Sequence, residues 1–380
     1  MIKRPAEEAT DFYINRQPVG RRLTDMKPKC ALGIDTSNYK TSVAAVTESG
    51  KIVSDRRIFL NVKEGALGLR QSEALFQHTV NLPGLLEEVM GDVRTAGCQL
   101  GIVAASAAPR PQAGSYMPAF LAGMGAGRAA AAAAGCPYVE FSHQECHIMA
   151  VKFYSSLSGA PAYISMHLSG GTTELLYVRD NICAGSDAGT DFVPPMDSVP
   201  AMDIEICGGS LDISFGQLLD RAGQRMGFDF PAGEKIDKLA LEYADSKRLR
   251  TSAREAIRLP VIKVIDGRIN LSGIETAVKK AVDAGCDHGE LSFKLMEDVS
   301  KTIIRMSEYG CRKYGVKDVL LAGGVASSAY LRKSVESYVK AGRADSDDKG
   351  INIVFGKPEL SSDNAVGTAL LGATRLNGRV

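Results

Sequence analysis

Residues 31–46, ALGIDTSNYKTSVAAV, and residues 162–178, AYISMHLSGGTTELLYV, decide the fold. Each is an apolar run, a small hydroxylated turn and a second apolar run. In the first, Ala31-Leu32-Gly33-Ile34 reads as a buried strand, Asp35 to Ser42 as a polar turn, and Val43-Ala44-Ala45-Val46 as the returning strand. Glu48-Ser49-Gly50-Lys51 then turns the chain into a third strand from Ile52. In the second, Ala162 to Leu168 and Glu174 to Val178 flank the turn Ser169-Gly170-Gly171-Thr172-Thr173. Two copies of one unit, each followed by helical segments, predict two related lobes. Gly-rich turns carry backbone N–H groups that surround phosphate oxygens, so two such turns facing across a cleft suit a nucleotide.

Between and after these units the pattern alternates. Apolar spacing predicts a helix from about Gly68 to Val93 with a break at Pro83, then a strand Ile102–Ala105 and a Gly/Ala helix from about Met117 to Ala134. A strand Tyr138–Phe141 leads into a helix carrying His143-Gln144-Glu145-Cys146-His147. Later come a helix Asp212–Met226, the loop Phe230-Pro231-Ala232-Gly233-Glu234 and mostly helical chain to Tyr314. The strand Asp318–Leu321 enters a Gly323-Gly324 turn and a helix from Ser327, which sets helix N–H groups beside a ligand. A polar loop, residues 343–350, precedes a strand Ile351–Phe355 and a final helix from near Asp363. The expected division is a basic, polar extension over 1–29, a first lobe over 30–155 and a second over 156–380. The helix from about 363 is expected to pack back on the cleft.

Composition excludes several classes. A chain of 380 residues with 45% hydrophobic and 23% charged residues has ample material for a globular core. The net charge of +1 gives no global attraction to nucleic acid or membrane, so a basic surface has to be local. The eight cysteines form no Cys-x-x-Cys pair and lie among apolar residues, as reduced thiols of a cytoplasmic protein do. The first 29 residues lack the apolar run of a secretory signal, and the Ala129–Ala134 run is too short to span a bilayer. It reads instead as a helix that touches its neighbours closely.

The chain has only five histidines, and two stand four residues apart at His143 and His147. On a helix that spacing puts both imidazoles on one face, within reach of one metal ion. The zinc-protease pattern requires a glutamate directly after the first histidine; Gln144 is there, and Glu145 is turned to another side. A two-histidine site needs a further ligand. Asp363, an acid at a predicted helix start after a strand, is the best placed, although on spacing alone a plain helix N-cap explains it better. Two histidines and a carboxylate suit zinc and iron about equally.

The motifs in series resemble a known family. Asp35-Thr36-Ser37 with Thr41-Ser42, His143 with His147, Ser169-Gly170-Gly171 with Thr173-Glu174-Leu175, Asp220 with Phe230-Pro231 and Gly233, Leu321 to Ala326, and Pro358-Glu359-Leu360 with Asp363-Asn364-Ala365 stand in family order. Together they are similar to the tRNA threonylcarbamoyladenosine synthase family, also called glycoprotease-like, over roughly residues 30 to 378. The resemblance implies an α/β, actin-like fold of the sugar-kinase type, with two lobes of duplicated mixed sheets. It implies transfer of a threonylcarbamoyl group from its adenylate to the N6 amine of the adenine beside the tRNA anticodon. His143, His147 and Asp363 match the ligands of one divalent metal ion, iron or zinc. Leu168, Ser169, Gly170, Gly171 and Thr172 match a loop on the phosphate side of an adenylate or ATP-type nucleotide. Asp220, Gly233 and Asp237 match groups that hold the nucleoside, and Gly323, Gly324 and Ser328 belong to the same nucleotide side. Asp35 is the nearest candidate for a catalytic base, with support of its hairpin as an equal reading. The implied partners are tRNA, a separate enzyme supplying the adenylate, a paralogous actin-like protein and a small ATPase, with no membrane.

Four departures mark a divergent branch. Asn38-Tyr39-Lys40 stands where the family has a cysteine and two acids, and Thr172 where it has histidine or asparagine. Ala108-Pro109-Arg110-Pro111-Gln112 replaces a Gly-Pro-Gly-Leu loop, and Ser328 an asparagine. Lys40 and Arg110 add cations near the expected entrance, which leaves two alternatives: a carbamoyltransferase acting on a small molecule, or a non-catalytic nucleotide-binding paralog in a tRNA-modification complex.

Overall fold

β1 (Lys29–Asp35) is the middle strand of a five-stranded sheet in the order β3-β2-β1-β4-β5. The computed structural model describes residues 27–37, 39–62, 69–112, 114–184, 201–247, 257–344 and 350–376. Most of the expected N-terminal extension and Asn38 lie outside the described residues. β2 (Lys40–Thr47) and β3 (Ile52–Phe59) extend β1 antiparallel; β4 (Gln99–Ala108) and β5 (Tyr138–Ser142) extend it parallel. α1 (Gln71–Thr95) and α2 (Phe120–Ala134) link the parallel strands, and α3 (His143–Phe153) follows β5 directly.

The second sheet repeats that plan. β6 (Ala162–Leu168), β7 (Thr173–Asp180) and β8 (Met202–Ser210) run antiparallel in sequence, with α4 (Asn181–Ala184) after β7. On the other side of β6 lie the parallel β10 (Asp318–Ala322) and β11 (Asn352–Phe355). The order β11-β10-β6-β7-β8 thus matches β5-β4-β1-β2-β3, and the two-residue β9 (Arg268–Ile269) is added at the β8 edge. The intervening helices are α5 (Phe215–Arg225), α6 (Gly233–Lys247), α7 (Ser272–Asp283), α8 (His288–Tyr314) and α9 (Ala329–Ala344), and α10 (Val366–Leu376) ends the fold.

The helices form three layers around the two sheets. α1 and α2 cover one face of the first sheet through Leu82, Leu85, Val89, Val93 and Ala131. α3 and α10 cover its other face, and the same apolar cluster takes in Tyr163, Leu176, Val178 and Leu320 of the second sheet. α5 to α9 cover the far face of the second sheet. Glycines set this spacing. A Cβ on Gly33 would overlap the backbone of Ala365 and Ala369, and one on Gly367 would overlap the Cys146 carbonyl. α10 therefore lies directly on β1 and crosses α3 backbone to backbone.

The helix α1 runs through Pro83 without the expected break. Its buried positions Ala74, His78, Leu82, Leu85, Val89 and Val93 flank the proline on both sides, so packing on the sheet outweighs the missing hydrogen bond. β8 was not foreseen from the sequence, and α9 takes in part of the stretch expected as a polar loop. The Gly/Ala helix is packed as closely as expected: a Cβ on Gly123 would press on Thr36 and one on Gly127 on Tyr138. Among the described residues, no helix is long and apolar enough to cross a membrane.

Candidate metal and nucleotide site

Local sequence explains how α3 presents its histidines. Ser142 ends β5 and caps α3: its hydroxyl accepts from the Glu145 N–H at 3.2 Å, and Glu145 Oε2 accepts from the Ser142 N–H at 2.8 Å. This reciprocal cap satisfies two N–H groups that a helix start leaves open. It also accounts for Glu145, which serves the helix and not a catalytic centre. His143 and His147 follow on one face, with ring centres 4.3 Å apart.

Asp363 reaches them from the other end of the chain. It stands in the turn before α10, whose N-terminus is capped by its neighbour: Asn364 Oδ1 accepts from the N–H groups of Val366 at 3.0 Å and Gly367 at 3.4 Å. Asp363 is thereby released from capping. Its Oδ1 lies 2.9 Å from His147 Nε2 and 3.5 Å from His143 Nε2. Among the described residues His143, His147 and Asp363 are the one group of ligand-type side chains whose donor atoms lie within 4.8 Å of one another. Two imidazoles and a carboxylate converging at this range fit a divalent ion bound by three protein ligands.

Asp35 ends β1 behind His143, fully buried. It accepts from the Ser37 N–H at 3.2 Å, from the Ser37 hydroxyl at 3.0 Å and from the Ser106 hydroxyl at 2.5 Å. His143 Nδ1 lies 3.4 Å from Asp35 Oδ1. That nitrogen is buried and lacks a well-aligned hydrogen bond, so the contact is one of charge. Burial disfavours charge on each of these groups, but opposite charges prevail. The His143 imidazole is held up at about 10 by the Asp35 and Asp363 carboxylates. Asp35 is held below its ordinary value by His143 and Ser106, and Asp363 well below by both histidines. A carboxylate so lowered and so fully donated to is a poor base. Its geometry suits orienting His143, as a carboxylate behind a metal-binding histidine does.

A group that sequence reasoning passed over lies beside the cluster. His167, on β6, has its ring centre 5.3 Å from that of His147. Burial, His147 and His143 push its imidazole down to about 3, so it is neutral near pH 7. A single histidine in an apolar strand carries no pattern; only the packing of α3 on the second sheet brings it here.

The Gly turns meet beside this cluster. β6 and β10 are paired, with Ala322 opposite His167, so the turns after both strands emerge together. Gly323 has φ +97 and touches Leu168 so closely that no Cβ fits. Gly170 and Gly171 differ: neither has a positive φ, and a Cβ on either would meet nothing within 4 Å. The usual reason for glycine in a hairpin turn, a positive φ, is therefore missing at both. Ser169 Oγ accepts from the N–H groups of Gly171 at 3.3 Å and Thr172 at 3.0 Å. The start of α5 holds the loop from behind, with the Ser214 hydroxyl donating to the Gly170 carbonyl at 2.8 Å.

The other sequence candidates fall into two pairs. Asp220 on α5 accepts from the N–H groups of Ala232 at 2.8 Å and Gly233 at 3.2 Å, fixing the start of α6. Asp237 on α6 accepts from the Ser328 hydroxyl at 2.5 Å and from the N–H groups of Ala329 at 2.9 Å and Tyr330 at 3.1 Å. Both its oxygens are thus engaged at the N-terminus of α9, where a carboxylate is favoured by the helix dipole. Asp237→Ala is expected to cost about 2 kcal/mol through the lost cap, read as a lower urea midpoint.

The two departing cations are also engaged. Arg110, in the loop after β4, makes an ion pair with Glu174 on β7, whose other oxygen accepts from Gln144 Nε2 at 3.1 Å. The pair spans from the first sheet's loops to the second sheet. Lys40 donates to the Ser362 hydroxyl at 2.9 Å, beside Asp363, with its ammonium 4.8 Å from the centre of the Phe59 ring.

Comparison with known proteins agrees with this architecture. The sequence model of a family described as tRNA N6-adenosine threonylcarbamoyltransferase, TsaD, matches residues 63–194 and 182–370. A protein of that name from Neorickettsia sennetsu is 25% identical over 352 residues, covering 91% of this chain and 93% of its own. One from Bacillus licheniformis is 28% identical over 361 residues, covering 92% and 93%. A probable bifunctional tRNA threonylcarbamoyladenosine biosynthesis protein from Methanothermobacter thermautotrophicus is 26% identical, covering 90% of this chain and 55% of its own. Among solved structures, HypF of T. kodakarensis superposes with a TM-score of 0.52 at 14% identity, over 93% of this chain and 48% of that one. With two repeated mixed sheets separated by helices, the fold is the two-lobed, actin-like α/β fold of sugar kinases.

Proposed function

This chain belongs to the tRNA N6-adenosine threonylcarbamoyltransferase family, and from that premise we propose that it transfers a threonylcarbamoyl group from threonylcarbamoyl-adenylate to the N6 amine of the adenine beside the tRNA anticodon. The amine nitrogen bonds to the carbamoyl carbon, the bond from that carbon to the adenylate oxygen breaks, AMP departs with the electron pair, and one proton leaves the amine. The observation that carries the reading is the convergence of His143, His147 and Asp363 next to two glycine turns.

The residues divide the work. His143, His147 and Asp363 hold a divalent ion, and Asp35 orients His143 from behind. When bound, such an ion supplies Lewis-acid polarisation of a carbonyl or phosphate oxygen. Gly170 and Gly171 leave the backbone open to close approach. A phosphate oxygen taking the Gly171 and Thr172 N–H groups from Ser169 Oγ replaces a neutral acceptor with a charged one, which strengthens both bonds. The attacking amine is a weak nucleophile, so holding it against the carbonyl is the main contribution. Arg110 is paired with Glu174 and presents no free cation, so its loop gives no reason to prefer a small-molecule acceptor. The matching region of the bifunctional relative is joined to further chain, which supports a separate protein working with this one.

Because no neighbour accounts for the glycines, Gly170→Ala and Gly171→Ala are expected to leave the thermal midpoint unchanged or slightly raised. Binding of a non-hydrolysable adenylate analogue is expected to weaken about tenfold or more, by the loss of charge-assisted backbone bonds. Calorimetry reads both, and unaltered binding in both variants contradicts the placement of the phosphate. The function itself is tested with labelled threonine, bicarbonate, ATP, an adenylate-forming enzyme, this chain with candidate partner proteins, and tRNA. Label is expected in tRNA; label transferred only to a small molecule overturns the tRNA reading.

A further inference from the structure

We propose that Phe59 and Lys40 form the platform that receives the acceptor strand: an unpaired base stacks on the Phe59 ring, and a backbone phosphate of the same strand takes the Lys40 ammonium. The proposal rests on the reading of tRNA as acceptor and gives that acceptor a place on the first sheet.

Register puts both side chains on the side of the site. Lys40 and Phe59 stand opposite each other in the β2–β3 pair, so they project from one face of the sheet. Ala44, further along β2, projects from the same face into the cluster formed with α3 and α10. A continuous path then leads to Asp363. The centre of the Phe59 ring is 4.8 Å from Lys40 Nζ, and Lys40 Nζ is 2.9 Å from the hydroxyl of Ser362, the residue before Asp363. Phe59 lies on the edge strand of its sheet and is 69% exposed, so its ring is open to a ligand.

Charge calls for an anion at this place. Arg57 pairs with Asp55 and Arg110 with Glu174, whereas Lys40 makes no ion pair among the described residues and donates to a hydroxyl. Asp35 and Asp363 match the charge of a divalent ion, so with an ion held the half-buried ammonium has no counterpart. Its remaining N–H groups suit a phosphate oxygen. The ring decides whose phosphate it is. An exposed aromatic side chain beside a cation is how proteins hold the splayed bases of single-stranded RNA. The donor's own adenine is assigned to the second lobe, where Asp220 meets Gly233, so the base left for Phe59 belongs to the acceptor. Lys40 is one of the departures from the family pattern, which makes the platform a property of this branch.

The probe is an anticodon stem-loop RNA, bound to the full chain with its candidate partner proteins over a range of salt concentrations. Phe59→Leu keeps an apolar side chain and removes the π face. It is expected to bind the RNA about fivefold or more weakly, with an unchanged salt slope and unchanged metal content. Lys40→Met is expected to flatten the slope of log affinity against log salt by about one. Both variants are expected to bind a non-hydrolysable adenylate analogue as the unaltered chain does. RNA affinity unchanged in the first variant and salt slope unchanged in the second overturn the platform alone. Weakened binding of the adenylate analogue in Lys40→Met, with RNA binding intact, gives the ammonium to the donor's carboxylate and also overturns it. Lost binding of a partner protein, with RNA binding intact, gives the ring to a protein interface with the same result. An unaltered chain that binds no RNA overturns the tRNA reading itself, and the platform with it.

Discussion

His147→Ala is expected to lose the bound metal and to lower transfer about a hundredfold to a thousandfold, the range for removing a group that stabilises charge developing in the transition state. His147 Nε2 makes the shortest contact to Asp363, and its ring stands between those of His143 and His167. Without it the remaining donors no longer enclose an ion, and Asp363 loses one of the two imidazoles that hold it ionised. The fold is expected to survive, because α3 keeps its Ser142–Glu145 cap and its apolar contacts. His78→Ala is the control. His78 is equally buried, but its nitrogen serves Thr41. That variant is expected to lose about 1–2 kcal/mol of stability and to keep its metal. Metal content by elemental analysis, beside the transfer rate, separates the two.

Among the described glycines, Gly367→Ala is expected to be the most damaging added methyl group. The added Cβ would overlap the Cys146 carbonyl and press on Ala150 at 3.1 Å. The obstacle is backbone, not the tip of a flexible side chain, so α3 and α10 have to separate. Overpacking of this kind costs about 3 kcal/mol or more. Asp363 lies four residues before Gly367 and the histidines lie on α3, so the separation acts on the metal site directly. A lower denaturation midpoint is expected together with weaker metal binding. Gly324→Ala, where a Cβ meets nothing within 4 Å, is expected to leave both unchanged.

The fold was legible because its repeated unit is local. The strand, turn and strand of residues 31–46 and 162–178 are β1–β2 and β6–β7, and each opens a sheet with the same strand order. Pro83 misled because proline chemistry is local and the burial that overrides it is not. At the site, the i, i+4 spacing of His143 and His147 needed only a helix to be read. Asp363 needed the crossing of α10 with α3, which depends on Gly33 and Gly367 and leaves no spacing signal. Asn364 as the cap of α10 then removes the plain reading of Asp363. The tie between Asp237 and Ser328 links residues 91 apart in sequence, and His167 stands alone in an apolar strand. Neither carried a pattern to find.

The central claim is the transfer of a threonylcarbamoyl group to adenine in tRNA. The direct measurement is the exact mass of nucleosides released from tRNA after incubation with the metal-loaded chain, its adenylate donor and its candidate partners. The account predicts N6-threonylcarbamoyladenosine, formed by the unaltered chain and lost with His147→Ala. Unmodified adenosine from reactions in which a family member from Bacillus licheniformis produces the modified nucleoside would contradict it.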